Sequence, residues 1–396
     1  FGPSEADLSR KLADLRGRVE GGKRASVRFK TVAIDLEGQG EEFSTEVLVE
    51  VVSSGVDGRL AQIDAVWQCD WFGRGSPRLA GLKVMSYRET HVSGALYKDA
   101  TRGVFSNAPS FTQQMMHGVG YWSERLTRVD DMHITGHQGI AVGDVNGDGL
   151  DDVYVCDGGG LPNRLYVQSE DGTVEDRSAA AGVDFLESSR SALIVDLDND
   201  GDQDLVVATV ALVLFLENDG AGVFSLQGGH PGSPGPYSMA AADYDNDGDQ
   251  DLYVANDFGR NNLYRNNNGK FTDIAPAVQG EDRASGMSVS WGDVDRDGLM
   301  DLYVANMFSA AGNRIAPQAG FSPGSSEETR KALLRFARGN TLLLQKGEEF
   351  TDASEELGVT MGRWAWSSMF ADINSDGWDD LLVANGYITT PDTGDL

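Results

Sequence analysis

The 396 residues carry 62 acidic against 32 basic side chains, a formal net charge of -30, and so acidic a chain disfavours nucleic acid and anionic membrane as partners. Hydrophobic residues make up 40% of the chain, enough to fill a core, but no run approaches the ~18 apolar residues that insertion into a membrane as a helix requires. Cys69 and Cys156 are the only cysteines, too few for a disulfide scaffold.

The charge is unevenly placed. Residues 1–93 hold 13 basic and 14 acidic side chains, so almost all of the acidic excess belongs to the remainder, and the chain divides at that point into two expected domains. In the first, Leu8, Leu12, Leu15 and Val19 form a helical stripe over residues 5–20, with Ser4 as its N-cap and Gly21-Gly22 as its stop. The opening FGPSEADL has neither a basic leader nor an apolar stretch, so a signal peptide is expected to have been removed or never present. Four alternating stretches follow, VRFKTVAIDL, EEFSTEVLVEVVSS, LAQIDAVWQCDWF and LAGLKVMSYRETHV, which read as antiparallel strands. The expectation is a small α+β domain over 1–93, similar in pattern to the nuclear-transport-factor-2-like or cystatin-like folds. Trp67 and Trp71, four apart, share one side of their strand, where they pack the sheet or, as the alternative, line a cavity.

Residues 94–137 lead into a repeated region. LYKDATRGVF at 96–105 resembles TVEDRSAAAGV at 173–183, FTDIAPAV at 271–278 and FTDASEELGV at 350–359, so one repeat unit is expected to start near Leu96. An insertion over 106–133 brings Phe111, Met115, Met116, Tyr121 and Trp122, apolar side chains expected to cap the domain or pack on the preceding one, with a ligand surface as the alternative.

A ten-residue phrase then occurs five times: DVNGDGLDDV from Asp144, DLDNDGDQDL from Asp196, DYDNDGDQDL from Asp243, DVDRDGLMDL from Asp293 and DINSDGWDDL from Asp372. Carboxylates held this close repel one another unless a cation sits among them, and hard oxygen ligands on a short loop suit Ca²⁺. The spacing points positions one, three and five inward, leaves the sharp turn to Gly at six, offers the carbonyl of seven and closes with the carboxylate of nine. The candidate ligands are therefore Asp144, Asn146, Asp148, Leu150 and Asp152 in the first loop. They are Asp196, Asp198, Asp200, Asp202 and Asp204 in the second, and Asp243, Asp245, Asp247, Asp249 and Asp251 in the third. In the fourth they are Asp293, Asp295, Asp297, Leu299 and Asp301, and in the fifth Asp372, Asn374, Asp376, Trp378 and Asp380. Five bound ions would take the formal charge from -30 to -20. An EF-hand would need Glu at position twelve and flanking helices; here position twelve is always Val, and both flanks are short and apolar. Each loop therefore joins two strands.

The loops start 52, 47, 50 and 79 residues apart, a period that with about four short strands per unit marks a β-propeller. Each loop strand is followed by another, as in NRLYVQ, NNLYRN and NTLLLQ. The longest interval holds an insertion over 307–340, where Ser325 is expected to cap a helix with Glu328 as its N3 partner. That helix sets Leu333, Leu334 and Phe336 among Arg330, Lys331, Arg335 and Arg338, and it reads as a lid held against neighbouring carboxylates. Cys156 sits at position thirteen, where other copies have Ala208, Ala255, Ala305 and Ala384, and reads as a core thiol; a bridge to Cys69 is the alternative. The ring would close with the N-terminal portion finishing the fifth blade, or the chain is part of a longer one.

Residues 138–388 resemble the FG-GAP or VCBS repeats of integrin α-subunit propellers, and the bacterial cartilage-acidic-protein-like proteins associated with ASPIC/UnbV segments. The phrases that carry this are GIAVGDVNGDGLDDVYV, GLPNRLYV, SALIVDLDNDGDQDLVVA, DLYVANMFSAAGNRI and RWAWSSMFADINSDGWDDLLVANG. The resemblance implies a mainly β propeller of at least five blades over 94–396, with Ca²⁺ in each loop and an extracellular, cell-surface or periplasmic location. Asn146 and Asn374 at position three depart from the pattern by lowering the charge. Three functions are weighed: a protein- or glycan-binding adhesion module, a polysaccharide lyase or sugar dehydratase, and a self-assembling structural subunit. For catalysis the candidates would be His133, His137, Arg314 and Arg338, though no nucleophile elbow, zinc motif or phosphate loop is present.

Overall fold

The computed structural model describes residues 24–36, 41–54, 60–93, 97–126, 139–231, 235–308, 310–318, 320–362 and 364–386. The stripe at 5–20 and both His133 and His137 lie outside the described residues. The chain forms two compact units, Phe1–Ala100 and Thr101–Leu396.

In the first unit the four alternating stretches form one antiparallel sheet, β1 (Arg24–Asp35), β2 (Glu42–Ser54), β3 (Leu60–Phe72) and β4 (Arg78–Val92), in sequential order. Alternation dictates which face is buried: Val47, Val49 and Val51 of β2 pack with Ile63, Ala65 and Cys69 of β3. Trp67 and Trp71 lie on that same face. Trp71 stacks on Phe43 at 6.2 Å and donates its indole N–H to Thr45 Oγ1 at 2.9 Å, so both tryptophans pack the sheet.

The second unit is built from antiparallel sheets in chain order. They are β5–β8 (Ile140–Gly143, Asp152–Val155, Arg164–Gln168, Val174–Asp176), β9–β12 (Ser189–Val195, Asp204–Thr209, Leu212–Asn218, Phe224–Pro231) and β13–β16 (Pro236–Ala242, Asp251–Asn256, Asn262–Arg265, Thr272–Asp273). A fourth is β17–β20 (Gly286–Gly292, Asp301–Asn306, Thr341–Lys346, Glu349–Asp352), and β21 and β22 (Ala365–Ala371, Asp380–Asn385) pair as a two-stranded sheet. In every sheet the first and second strands flank one acidic loop. The second strands β10, β14 and β18 are buried throughout, which explains the four-residue run LVVA or LYVA between their polar ends.

Successive sheets touch through their first strands: β5 against β9, β9 against β13, β13 against β17, β17 against β21. Glycines allow the approach. A Cβ on Gly139 would stand 2.6 Å from Ser191 Cα, and one on Gly292 would stand 2.7 Å from the Phe370 ring. Position thirteen needs a small side chain for the same reason: Cys156, Ala208, Ala255 and Ala305 are all wholly buried. Cys156 and Cys69 are both free thiols, and burial pushes Cys156 up to about 12, leaving an inert core group.

In LYKDATRGVF, where the sequence places the start of a repeat unit, Thr101–Val104 is helical and Tyr97 is almost fully exposed. The first sheet has β8 on its outer edge, and the phrase leads into short helical turns at Phe105–Asn107, Phe111–Met115 and Val119–Ser123. These cap the sheet, with Phe105 stacked on Phe111 at 4.5 Å and edge-on to Tyr166 at 5.0 Å. In the later insertion the N-cap of the helix Glu327–Arg338 is Ser326, not Ser325, and its Oγ accepts from Thr329 N at 3.1 Å. Thr329 therefore occupies N3 and the reciprocal Ser–Glu box does not form. The basic side of this helix is held as expected. Arg335 pairs with buried Asp282, and Arg338 with Asp352 at 2.6 Å.

Replacing Gly139 by Ala forces a Cβ into the Ser191 backbone, and overpacking of this kind costs about 1–3 kcal/mol. Urea unfolding of the Gly139→Ala protein should show a lowered midpoint; an unchanged midpoint would mean that β5 and β9 do not meet as described.

Candidate metal centres

Each loop is first of all a hydrogen-bonded turn. The carboxylate of position one accepts the backbone N–H groups of positions five and six: Asp247 and Gly248 donate to Asp243 at 3.0 Å each, and Asp297 and Gly298 to Asp293 at 3.0 Å each. Asp372 accepts from Asp376 and Gly377 at 3.0 and 2.7 Å, and Asp144 from Asp148 and Gly149 at 3.2 and 2.8 Å. In the second loop Asp196 accepts from Gly201 at 3.2 Å. The position-five carboxylate then accepts from position seven, as Asp148 does from Leu150, Asp200 from Asp202 and Asp376 from Trp378. Gly at position six has φ between 83° and 97° in all five loops, as its identity implied. Position four is also left-handed, in Gly147, Asn199, Asn246, Arg296 and Ser375. Sequence reasoning missed this; the signal was Gly or Asn in three of the five copies, the residues that best tolerate the conformation.

Position nine does something the spacing did not suggest. Asp152, Asp204, Asp251 and Asp301 are buried, and each accepts a backbone N–H on either oxygen. One comes from position two of the same loop: Val145, Leu197, Tyr244 and Val294, at 2.9–3.0 Å. The other comes from the third strand of the sheet or its end: Gln168, Asn218, Asn266 and Gln345, at 2.8–2.9 Å. In the fifth loop Asp380 accepts from Ile373 at 3.2 Å.

Three of those third-strand residues reach backward through their side chains. The amide of Asn218 donates to Val145 O at 2.8 Å, that of Asn266 to Leu197 O at 2.6 Å, and that of Gln345 to Tyr244 O at 3.0 Å. The second, third and fourth of these sheets are thus each hooked onto the loop of the sheet before. The loops also touch one another: Asn199 Nδ2 donates to Asp249 Oδ1 at 2.7 Å, Asn246 Nδ2 to Gly298 O at 3.4 Å, and the Arg296 guanidinium lies 3.8 Å from the Trp378 ring centroid. The second to fifth loops therefore gather at one end of the sheets.

Among the described residues, carboxylate oxygens converge within 4.8 Å of one another in Asp196, Asp198 and Asp204, in Asp243, Asp245 and Asp251, and in Asp293, Asp295 and Asp297. A divalent cation fits the first two sets on a specific ground. Asp198 Oδ1, Asp202 Oδ1 and Asp245 Oδ1 are buried acceptors with no hydrogen-bond donor, which are costly unless a cation completes them. In the first and fifth loops Asn146 and Asn374 donate to Asp148 and Asp376 at 3.0 Å each. A cation held there would need the asparagine amide turned so that its oxygen faces inward. In the fourth loop Lys346 reaches Asp295 and Asp297, the latter at 3.0 Å, and Asp297 is held below the usual carboxylate range, chiefly by that hydrogen bond. Of the residues considered for catalysis, Arg314 is exposed on the short helix Ala310–Ile315, and Arg338 is in its ion pair.

Residues 144–207, 196–254 and 243–304 match the family model of the FG-GAP-like repeat. The chain carries three FG-GAP-like repeats. Each matched segment runs from the start of one loop to position twelve of the next, so the first four loops fall within them. No curated protein matches the chain. Among solved structures it is similar to the Photorhabdus luminescens Tc holotoxin pore, at 15% identity and a TM-score of 0.29, over 71% of this chain and 14% of that one. The chain spans a small part of that protein's length, and the likeness is too loose to transfer fold or activity.

The hooks between FG-GAP-like repeats and the buried carboxylates give two expectations. Asn266→Ala leaves Leu197 O and Gln250 O without the amide that reaches them; buried acceptors lost in this way cost about 1–3 kcal/mol, read as a lowered denaturation midpoint. Burial, helped by neighbouring aspartates, pushes Asp204 up to about 6 and Asp251 up to about 7. Both lie above the ordinary Asp value of about 3.9, so the calcium-free folded chain binds more protons than the unfolded one in that range. Its stability should rise as pH falls from about 7.5 to about 5. Melting temperatures in chelator that fall over this interval would contradict the burial of these groups.

Proposed function

We propose that the chain is a calcium-stabilised β-propeller, secreted or surface-exposed, that serves as a protein- or glycan-binding module. The observation that carries this reading is the set of buried aspartate oxygens left without donors in the second and third loops, where the carboxylates converge. Ca²⁺ bound there would supply the positive charge that lets these carboxylates stay ionised and close together. The chain's own part is to hold the ligands: position one fixes the turn, position nine anchors it to the third strand, and the FG-GAP-like repeats stack through their first strands. Sequential sheets touching by their first strands are the arrangement from which a propeller is made. Such a body has a structural rather than catalytic use for its ions, and it presents loops and insertions as recognition surfaces.

Extracellular modules of this kind hold Ca²⁺ at roughly 10⁻⁴–10⁻³ M, so chelator should strip the ions readily. Each site saturated at about 100 times its dissociation constant would return about 2.7 kcal/mol. Calcium titrated into chelated protein should raise the melting temperature strongly, with up to one ion bound per loop. No uptake and no shift would refute the reading. Binding to immobilised glycans or to extracellular proteins only in calcium would support the module, whereas turnover of uronic-acid polysaccharides would replace it with the lyase reading.

A further inference from the structure

The fourth loop differs from the second and third in what its carboxylates meet. Lys346 is the last residue of β19, directly after Gln345. Gln345 is fixed at both ends, with its backbone N–H on Asp301 Oδ1 at 2.9 Å and its side-chain amide on Tyr244 O and Gly347 O at 3.0 Å each. That clamp sets the root of the Lys346 side chain beside the loop. Its ammonium contacts Asp295 Oδ2 and lies 3.0 Å from Asp297 Oδ2, and these are positions three and five, two of the three aspartates that converge there. In the other repeats the residue after the anchored amide is Ser169, Asp219 or Asn267, none of which can bring a positive charge. The second repeat has an acid at that place, and its Asp198 and Asp202 retain oxygens with no donor.

We propose that Lys346 is a tethered counter-cation of the fourth loop, so that this loop is held by the chain's own ammonium and takes calcium only by displacing it. The inference rests on the reading of the loops as calcium sites. A lysine suits this role because it is a compact point charge on a flexible stem. Its side chain is half exposed, so it can swing into solvent when a divalent ion arrives. The ammonium satisfies two carboxylates but cannot offer the six to eight-fold oxygen coordination that calcium makes, so calcium at high concentration wins. Tethering raises the local concentration of the competitor without raising its intrinsic strength. Two exposed pairs of this type shift an equilibrium by roughly three- to thirty-fold. The fourth site should therefore be weaker than the second and third, despite having an aspartate at each of positions one, three, five and nine. At low calcium its loop should be the better ordered for having the lysine.

The test compares the whole chain with Lys346→Met, which keeps the stem and removes the charge, and with Lys346→Arg, which keeps the charge. Calcium binding is followed by calorimetry, and melting temperature is measured in chelator. Lys346→Met should tighten one site roughly three- to thirty-fold and lower the melting temperature in chelator, while Lys346→Arg stays near the parent chain. Adding Asp295→Asn to Lys346→Met should abolish the gain and so place it in the fourth loop. If Lys346→Met leaves both the weakest site and the chelated melting temperature unchanged, Lys346 is not a counter-cation. If the parent chain binds no calcium, the proposed function fails; the melting temperature in chelator still decides whether the lysine neutralises this loop.

Discussion

A carboxylate buried at the base of each of the first four acidic loops is the constraint on which the repeats depend. In the first four repeats its two oxygens accept two backbone N–H groups that lie far apart in sequence, one at the entrance of the loop and one on or just after the third strand. One aspartate thereby fixes the turn, the second strand and the third strand relative to one another. Burying a charge this deeply is expensive, and its burial raises the proton affinity of Asp204 and Asp251. A cation at the loop would offset that cost, which joins the metal chemistry of the loop to the stability of the sheet.

Much of this was legible in the sequence, for a physical reason. Five copies of one phrase average out local accident: the ligand types, the glycine at six and the apolar flanks recur because each loop must make the same turn between two strands. The period of the loops and the strand after each one followed equally from alternation and spacing, and the sheets stand where they were expected. The small side chain at thirteen was legible because alanine recurs there, and Cys156 could be read against it.

What was not legible depends on contacts between segments distant in sequence. Asn218, Asn266 and Gln345 look like ordinary strand-end polar residues, and only their partners in the preceding repeat reveal them as hooks. The second role of position nine, as anchor of the third strand, was hidden because that partner lies some 15 residues away, as Asn266 does from Asp251. The left-handed residue at four was hidden by variety, since Arg296 and Ser375 adopt it beside Gly147 and Asn199. The shift of the N-cap from Ser325 to Ser326 is a one-residue choice between neighbouring hydroxyls, and the sequence pattern favours neither.

The hooks all run in one direction, from a sheet back to the loop of its predecessor. Each hook is nevertheless a shared bond: distorting the second loop and losing Asn266 forfeit the same contact with Leu197 O, and Asn199 of the second loop reaches forward to Asp249 of the third. Neighbouring loops and sheets are therefore coupled in both directions, and the cohesion of the array is a sum of such neighbour terms.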